Sequence, residues 1–318
     1  MIQEPIDVLK LHPIRKTKKQ KEAFAEDMLT YADELGYAAQ VETSKRGTRN
    51  IVIGQLEKAK YLITAHYDTP ASIGLPNFIT PNNPITFFAF QIGLVLILLA
   101  VSVGAAVAAY FLSNNERVGY LTWYVVYFGI LMLMLKGPAN RNNANDNTSG
   151  VVTVLELLSA VPDTVKDKVC FVLFDMEEAG LVGSAQFRKQ HKAVTEKQIV
   201  LNLDCVGDGD VIQFTPVKKA RKDGALLKNL ETICKVSGKK EIRLRSKGFY
   251  GGSSDHKNFP LGVAVMAFRY HKGIGLYCGR IHTWRDTVLD TENVAVLKDA
   301  LISFLETSEN SANAQCNI

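Results

Sequence analysis

The feature that most restricts what this chain can become is a pair of long apolar runs in its first half. From Ile85 to Leu112 the sequence reads ITFFAFQIGLVLILLAVSVGAAVAAYFL, without a charged residue. A polar turn, SNNERVG, follows, and then YLTWYVVYFGILMLML over 120–135, again uncharged and ending at Lys136. A membrane-crossing helix needs about 20 apolar residues. The first run exceeds that and the second lies near the lower limit. The competing reading, a helical pair buried in a soluble core, fits two adjacent runs of this length less well. The segment 81–136 is therefore expected to be an inserted transmembrane hairpin, with helices at about 85–112 and 118–135. Tyr110, Tyr120, Trp123 and Tyr124 cluster at the turn end, where interfacial aromatics sit. Gly104, Ala105 and Ala108 offer a small-residue face for close helix contact and for a possible homodimer.

Two crossings return the chain to the side it left, so 1–80 and 137–318 share one compartment. The turn carries Arg117 offset by Glu116, whereas the other side carries Lys136, Arg141 and a basic N-terminal stretch. The positive-inside rule places that side in the cytoplasm. The cysteines agree: five, widely spaced and without a CxxC pair, suggest neither a disulfide framework nor a cysteine zinc site. The first residues, MIQEPIDVLKLHPIRKTKKQK, lack the apolar stretch of a signal peptide.

Outside the insert the pattern alternates. Residues 18–36 place Phe24, Met28, Leu29, Tyr31 and Leu35 near helical spacing, and 150–161, 223–238 and 291–307 also read as helices. Buried strands are expected in NIVIGQ, KYLITAHYD, KVCFVLFDME, QIVLNLDCVG, DVIQFTP, IRLRS and VAVMAFRY. Strands alternating with helices predict an α/β fold with a largely parallel, mixed central sheet between helices, formed as one domain from 1–80 and 137–318. The net charge of +5 gathers partly at Lys218, Lys219, Arg221 and Lys222, and at Lys239, Lys240, Arg243, Arg245 and Lys247. A solvated surface accounts for these clusters, and lipid headgroups are the sharper alternative. No recognition motif accompanies them, so nucleic acid is not an expected partner.

Five separated segments each bring a polar residue to a strand end or a Gly-rich turn: AHYD (His66, Asp68), NDNTSG (Asp146), DMEEAGLVGS (Glu177, Glu178), NLDCVGD (Asp204) and RIHTWRDT (His282). Loops after the strands of open α/β sheets are where active sites form. Imidazoles and carboxylates are zinc ligands, and a two-metal site needs a bridging carboxylate plus further donors for each ion. Singly, each has a plain explanation: a core histidine, a helix cap at Gly150, an acidic first turn, a surface histidine. It is their joint occurrence, in order, that is specific.

In that order the segments resemble the aminopeptidase Y family of dizinc exopeptidases, which includes secreted bacterial leucyl aminopeptidases; glutaminyl cyclases are more distant relatives. The likeness covers about residues 20–80 and 137–310. It implies two zinc ions per chain, with Asp146 bridging, Glu178 and His282 on one ion, and His66 and Asp204 on the other. It further implies that Asp68 orients the His66 ring and that Glu177 is the general base. SSDHKNFP resembles a segment near the family's substrate pocket, where Asp255 and His256 would be structural. Phe249 and Tyr250 are candidates to line that pocket, and Asp286 to orient the metal site. The hairpin is the departure, since the family's familiar members are soluble. It falls between the first ligand segment and Asp146, which would hold the opening near the bilayer and favour membrane-associated peptides. Deleting 85–135 is expected to leave a soluble enzyme acting on small aminoacyl substrates. The alternatives are a glutaminyl cyclase-like acyltransferase and an inactive membrane scaffold; the ligand set also leaves open which peptide end is trimmed.

Overall fold

The computed structural model describes residues 2–72, 75, 77–248 and 250–316, with side chains described as far as residue 308. Phe249, one of the two candidate pocket residues, lies outside the described residues. Helix α1 (Lys18–Glu34) opens with a capping box, in which the Thr17 side chain accepts from the Gln20 N–H and Gln20 Oε1 accepts from the Thr17 N–H at 2.9 Å. Strands β1 (Ala39–Thr43), β2 (Arg49–Ile53) and β3 (Tyr61–His66) follow. Two long helices, α2 (Pro84–Ser113) and α3 (Glu116–Lys136), interrupt the domain before α4 (Gly150–Ala160). Then come β4 (Val169–Phe174), α5 (Val182–Gln190), β5 (Ile199–Leu203), β6 (Val211–Pro216) and α6 (Gly224–Thr232). Strands β7 (Lys235–Ser237), β8 (Lys240–Leu244), β9 (Leu261–His271) and β10 (Gly275–Tyr277) precede the closing helix α7 (Thr291–Cys316).

The strands form one sheet in the order β1-β2-β4-β3-β5-β9-β6-β8-β7, with β10 paired to β9. Its centre, β4-β3-β5-β9, is parallel, and the flanks are mixed. Every residue of β3 and β4 is buried, as expected of parallel strands covered on both faces. On one face α1, α4 and α7 contribute Phe24, Val154, Leu158, Leu301 and Phe304 to the main core. On the other, Phe187 of α5 meets Phe174, which also stacks on Phe259. Each such buried aromatic stabilises the fold by about 1.5–3 kcal/mol.

The helix expected over 223–238 is corrected. It ends at Thr232, and β7 takes over at Lys235 to form an antiparallel pair with β8. Gly238, at φ 59°, makes the turn between them. Part of the basic character is used locally: Lys240 bridges Asp210 and Asp290, Lys219 pairs with Glu196 and Arg243 with Glu241.

The inserted helices are long and apolar enough to cross a membrane, and the only described residues buried in them are Ser102 and Gly119. At 1.5 Å per residue α2 extends about 45 Å and α3 about 31 Å. The surplus of α2 lies at its start, which packs on the α/β domain: the Phe90 ring centroid sits 5.1 Å from that of Phe78, and Phe87 lies 2.6 Å from where a Cβ on Gly251 would be. The remainder from Gln91 spans about 35 Å, close to the hydrocarbon thickness of a bilayer. The expected small-residue contact is also corrected. Gly104 has nothing within 4 Å of a would-be Cβ, whereas a Cβ at Gly119 would stand 3.2 Å from the Ala106 carbonyl oxygen and 3.3 Å from Tyr110 Cβ. Helical spacing alone does not tell which of two small-residue stripes faces the partner.

Candidate metal centre

The parallel strands deliver the site. His66 ends β3, Glu177 and Glu178 follow β4, and Asp204 follows β5, so all four lie beyond the carboxyl ends of adjacent strands. Asp146 arrives on the loop that enters α4, and His282 on the loop between β10 and α7. All the ligand residues expected from the sequence are brought together. His66 Nε2 is 3.2 Å from Asp146 Oδ1 and 3.8 Å from Asp204 Oδ1. His282 Nε2 is 3.1 Å from Asp146 Oδ2 and 3.5 Å from Glu178 Oε2. The two oxygens of Asp146 thus face different imidazoles.

Donor separations of this size suit a cation. Four ligands at about 2.1 Å in a tetrahedron stand about 3.4 Å apart. Two donor groups share Asp146, one with His66 and Asp204 and the other with Glu178 and His282. A third grouping, His66 with Glu177 and Glu178, also lies within ligand range. Glu178 Oε1 and His66 Nδ1 are buried without a hydrogen-bond partner among the described residues. The residues present therefore fit a metal pair.

The electrostatics point the same way. Burial pulls the His66 imidazole toward neutrality, but Glu177, Asp146, Asp204 and Asp68 outweigh it and raise its pKa well above the ordinary value. His282 rises to about 9, the pull of Glu178 and Asp146 exceeding the burial cost. Burial pushes Glu178 up to about 8 and Glu177 well above the usual carboxylate range, in each case against a neighbouring imidazole. Asp146 stays well below that range, because two imidazoles outweigh its burial. Such a nest of buried carboxylates attracts positive charge, supplied by protons or by metal ions.

Hydrogen bonds fix the loops from behind. Asp68 Oδ1 is 3.5 Å from His66 Nδ1, and Asp68 also accepts from the backbone N–H groups of Glu177 at 3.0 Å and Glu178 at 3.2 Å. One carboxylate therefore lies against an imidazole and holds the turn that carries two glutamates. Asp286 accepts from the N–H groups of Asn145 at 2.8 Å and Asp146 at 3.0 Å, which is the orienting position suggested by the sequence. The Asp146–Asn147 peptide is cis. Asp255 accepts from the Ser184 hydroxyl, and both it and His256 are buried and belong to none of the donor groups.

Sequence reasoning missed several supports. Asn147 donates to the Leu203 carbonyl at 2.9 Å and accepts from Gly150 N and Cys205 N, tying the Asp146 loop to the end of β5. Asn145 Oδ1 accepts from Gly207 N at 2.7 Å. The density of asparagine in NRNNANDNTSG was the available signal. Arg15, fully buried, donates to the Tyr67 carbonyl and to Thr148 Oγ1 at 3.0 Å, joining the β3 and Asp146 loops. Burial lowers its pKa to about 10, against the attraction of Asp68 and Asp146. Within a basic N-terminal stretch nothing set it apart.

The candidate metal donors themselves line a cavity of about 90 Å³, to which Ile79, Tyr250, Met266 and Ile281 contribute apolar surface. It is small beside the roughly 300–1,000 Å³ of sites that enclose drug-sized ligands. The Tyr250 hydroxyl rests 3.7 Å from Met266 Sδ.

Comparison with solved structures finds similar folds. Glutaminyl cyclase of Porphyromonas gingivalis superposes with a TM-score of 0.58 at 15% identity, over 95% of this chain and 94% of that one. The LapA aminopeptidase of Legionella pneumophila gives 0.55 at 16% identity, over 95% and 69%. A leucine aminopeptidase precursor of Bacteroides thetaiotaomicron gives 0.52 at 14% identity, over 92% and 90%. At these identities the likeness is one of fold. A sequence search of the curated proteins finds no match. The model of peptidase family M28 matches residues 131–304, which spans Asp146, Glu177, Glu178, Asp204 and His282. With more than half of its length matched and these side chains gathered at one site, the chain belongs to peptidase family M28.

Proposed function

We propose that this protein is a membrane-anchored dizinc aminopeptidase that removes N-terminal residues from peptides. One observation carries the reading: Asp146 presents each of its oxygens to a separate donor group, while Glu177 belongs to neither of the two groups that share it. His66 and Asp204 would hold one zinc, Glu178 and His282 the other, and Asp146 both. When bound, the zinc pair would lower the pKa of water toward 7 and polarise the scissile carbonyl.

The chain's own residues supply the remainder. Glu177 lines the cavity, where burial disfavours its charged form and the His66 imidazole opposes that. It takes a proton from the attacking water and returns one to the leaving amine. Asp68 clamps the Glu177 N–H, so that this proton acceptor is aimed by backbone rather than by a free side chain. The apolar wall formed by Ile79, Tyr250, Met266 and Ile281 receives the terminal side chain and excludes water from it. The helices α2 and α3 would cross the bilayer, with the catalytic domain on the cytoplasmic side. The outward Gly104 and Ala108 leave a face through which two copies can pair.

General acid–base catalysis contributes about 10²- to 10⁴-fold. Glu177→Gln is therefore expected to lower kcat by about that factor while bound zinc, measured by mass spectrometry, stays at the wild-type level. A wild-type rate in Glu177→Gln sinks the assignment. Glutaminyl cyclase chemistry is tested on the wild-type protein with peptides beginning in glutamine. Release of free amino acids supports the peptidase; release of ammonia with retention of the residue supports the cyclase.

A further inference from the structure

His282 lies on a segment gripped by both legs of the hairpin. The entry leg holds its first half: Ile79 and Cys278 exchange backbone hydrogen bonds at 2.9 Å, and the Asn77 N–H donates to the Ile281 carbonyl at 3.3 Å. The exit leg holds its second half. Asn140 Nδ2 donates to the Thr283 carbonyl at 3.0 Å, and Asn142 Nδ2 to the Trp284 carbonyl at 2.6 Å. The His282 loop is thus fixed relative to the points where α2 begins and α3 ends.

Just past His282, and among the described residues, Trp284 is 68% exposed, and the Arg285 guanidinium lies 5.3 Å from its ring centroid. A large indole left in water wastes its apolar area, whereas tryptophan settles readily among lipid headgroups. Arginine beside it suits lipid phosphate. Asn142, which holds the Trp284 carbonyl, is six residues beyond Lys136 at the end of α3, a reach of at most about 20 Å. At the base of α2, Ile85 and Phe88 are also exposed.

We propose that Trp284 and Arg285 form a membrane-surface contact, with the indole in the headgroup layer and the guanidinium on lipid phosphate, setting the mouth of the metal centre against the bilayer. The favoured substrates are then peptides tethered to the membrane whose free N-terminus lies at headgroup level. This rests on the reading of the hairpin as membrane-spanning.

The chain has two tryptophans, so Trp123→Phe leaves Trp284 as the sole indole of the full-length protein. The variant is reconstituted in phosphatidylcholine–phosphatidylglycerol vesicles and first tested for co-flotation. Blue-shifted emission, quenching by lipids labelled near the headgroup and shielding from iodide support the contact. Co-flotation with iodide-accessible emission that labelled lipid does not quench overturns it, leaving the spanning hairpin intact. Failure to co-float overturns the hairpin reading and the contact together. In a kinetic arm, Trp284→Ala with Arg285→Ala is expected to lower turnover of a vesicle-anchored peptide about fivefold, against less than about twofold for the same peptide free in solution. Equal effects on both peptides also count against the contact, since they point to a role in the site itself.

Discussion

Asp146 and Leu112 mark the extremes of this molecule: a carboxylate 3% exposed and a leucine 91% exposed. Around Asp146 most buried polar groups are answered by backbone or side-chain hydrogen bonds, and those left over, Glu178 Oε1 and His66 Nδ1 among them, belong to the candidate metal donors. Around Leu112 the helices satisfy their own backbone and offer little except apolar surface to whatever surrounds them. The domain is specified by internal pairing, the hairpin by its intended solvent. A change at the first should therefore propagate to chemistry, whereas a change deep in the second should alter the packing of the two helices and leave the metal centre as it is.

Among changes that set the two regions apart, the largest effect is expected at Asp286, which is in no donor group itself yet holds the backbone N–H groups of Asn145 and Asp146. Burial and the neighbouring Asp146 charge raise its pKa to about 7, so its ionised form is itself disfavoured. Asp286→Ala leaves two buried N–H groups unanswered, at about 1–3 kcal/mol each. Relief of the buried charge offsets part of this, for a net loss of about 2–4 kcal/mol in urea unfolding. Zinc affinity, measured by competition with a chelator, is expected to fall about 10- to 100-fold. Unchanged affinity would show that Asp146 is held by its own loop alone.

An intermediate effect is expected at the junction, where the two regions meet. Phe87 and Phe90 belong to α2 by sequence but to the domain by contact: Phe87 fills the space over Gly251, next to the cavity residues Tyr250 and Gly252. Replacing 91–135 with a short linker should keep kcat/KM on a free aminoacyl substrate within about threefold of wild type. Replacing 85–135 should raise KM by about tenfold, because removing a packed aromatic forfeits about 3–5 kcal/mol of contact, of which part reaches the pocket loop. Equal kinetics in the two deletions would place the boundary back at Ile85.

What the sequence disclosed follows the same division. The central strands were legible because burial on both faces leaves continuous apolar runs such as CFVLF in β4. The site was legible because its side chains are chemically unusual at strand ends and keep a recognisable order. Edge elements were not: β1 is only half buried and β7 fully exposed, so neither carries a strong apolar pattern. Arg15, Asn145 and Asn147 were obscure for another reason. Their roles exist only through partners far away in sequence, such as Thr148 for Arg15 and Leu203 for Asn147. Composition reports burial well and partnership poorly.

The smallest effect on chemistry is expected from a close contact within the hairpin. A Cβ at Gly119 would stand 3.2 Å from the Ala106 carbonyl oxygen and 3.3 Å from Tyr110 Cβ, so the helices approach closely where a side chain is missing. Gly119→Val forces them apart, and overpacking of this kind costs about 1–3 kcal/mol. Spin labels at Val103 and Tyr124 in bilayer-reconstituted protein should show weaker dipolar broadening in the variant. Turnover of a free aminoacyl substrate should change by less than about twofold, since the contacts that hold the His282 loop begin only at the hairpin legs. Lost turnover together with widened helices would mean that the hairpin transmits strain to His282, and the separation between the two regions would fail.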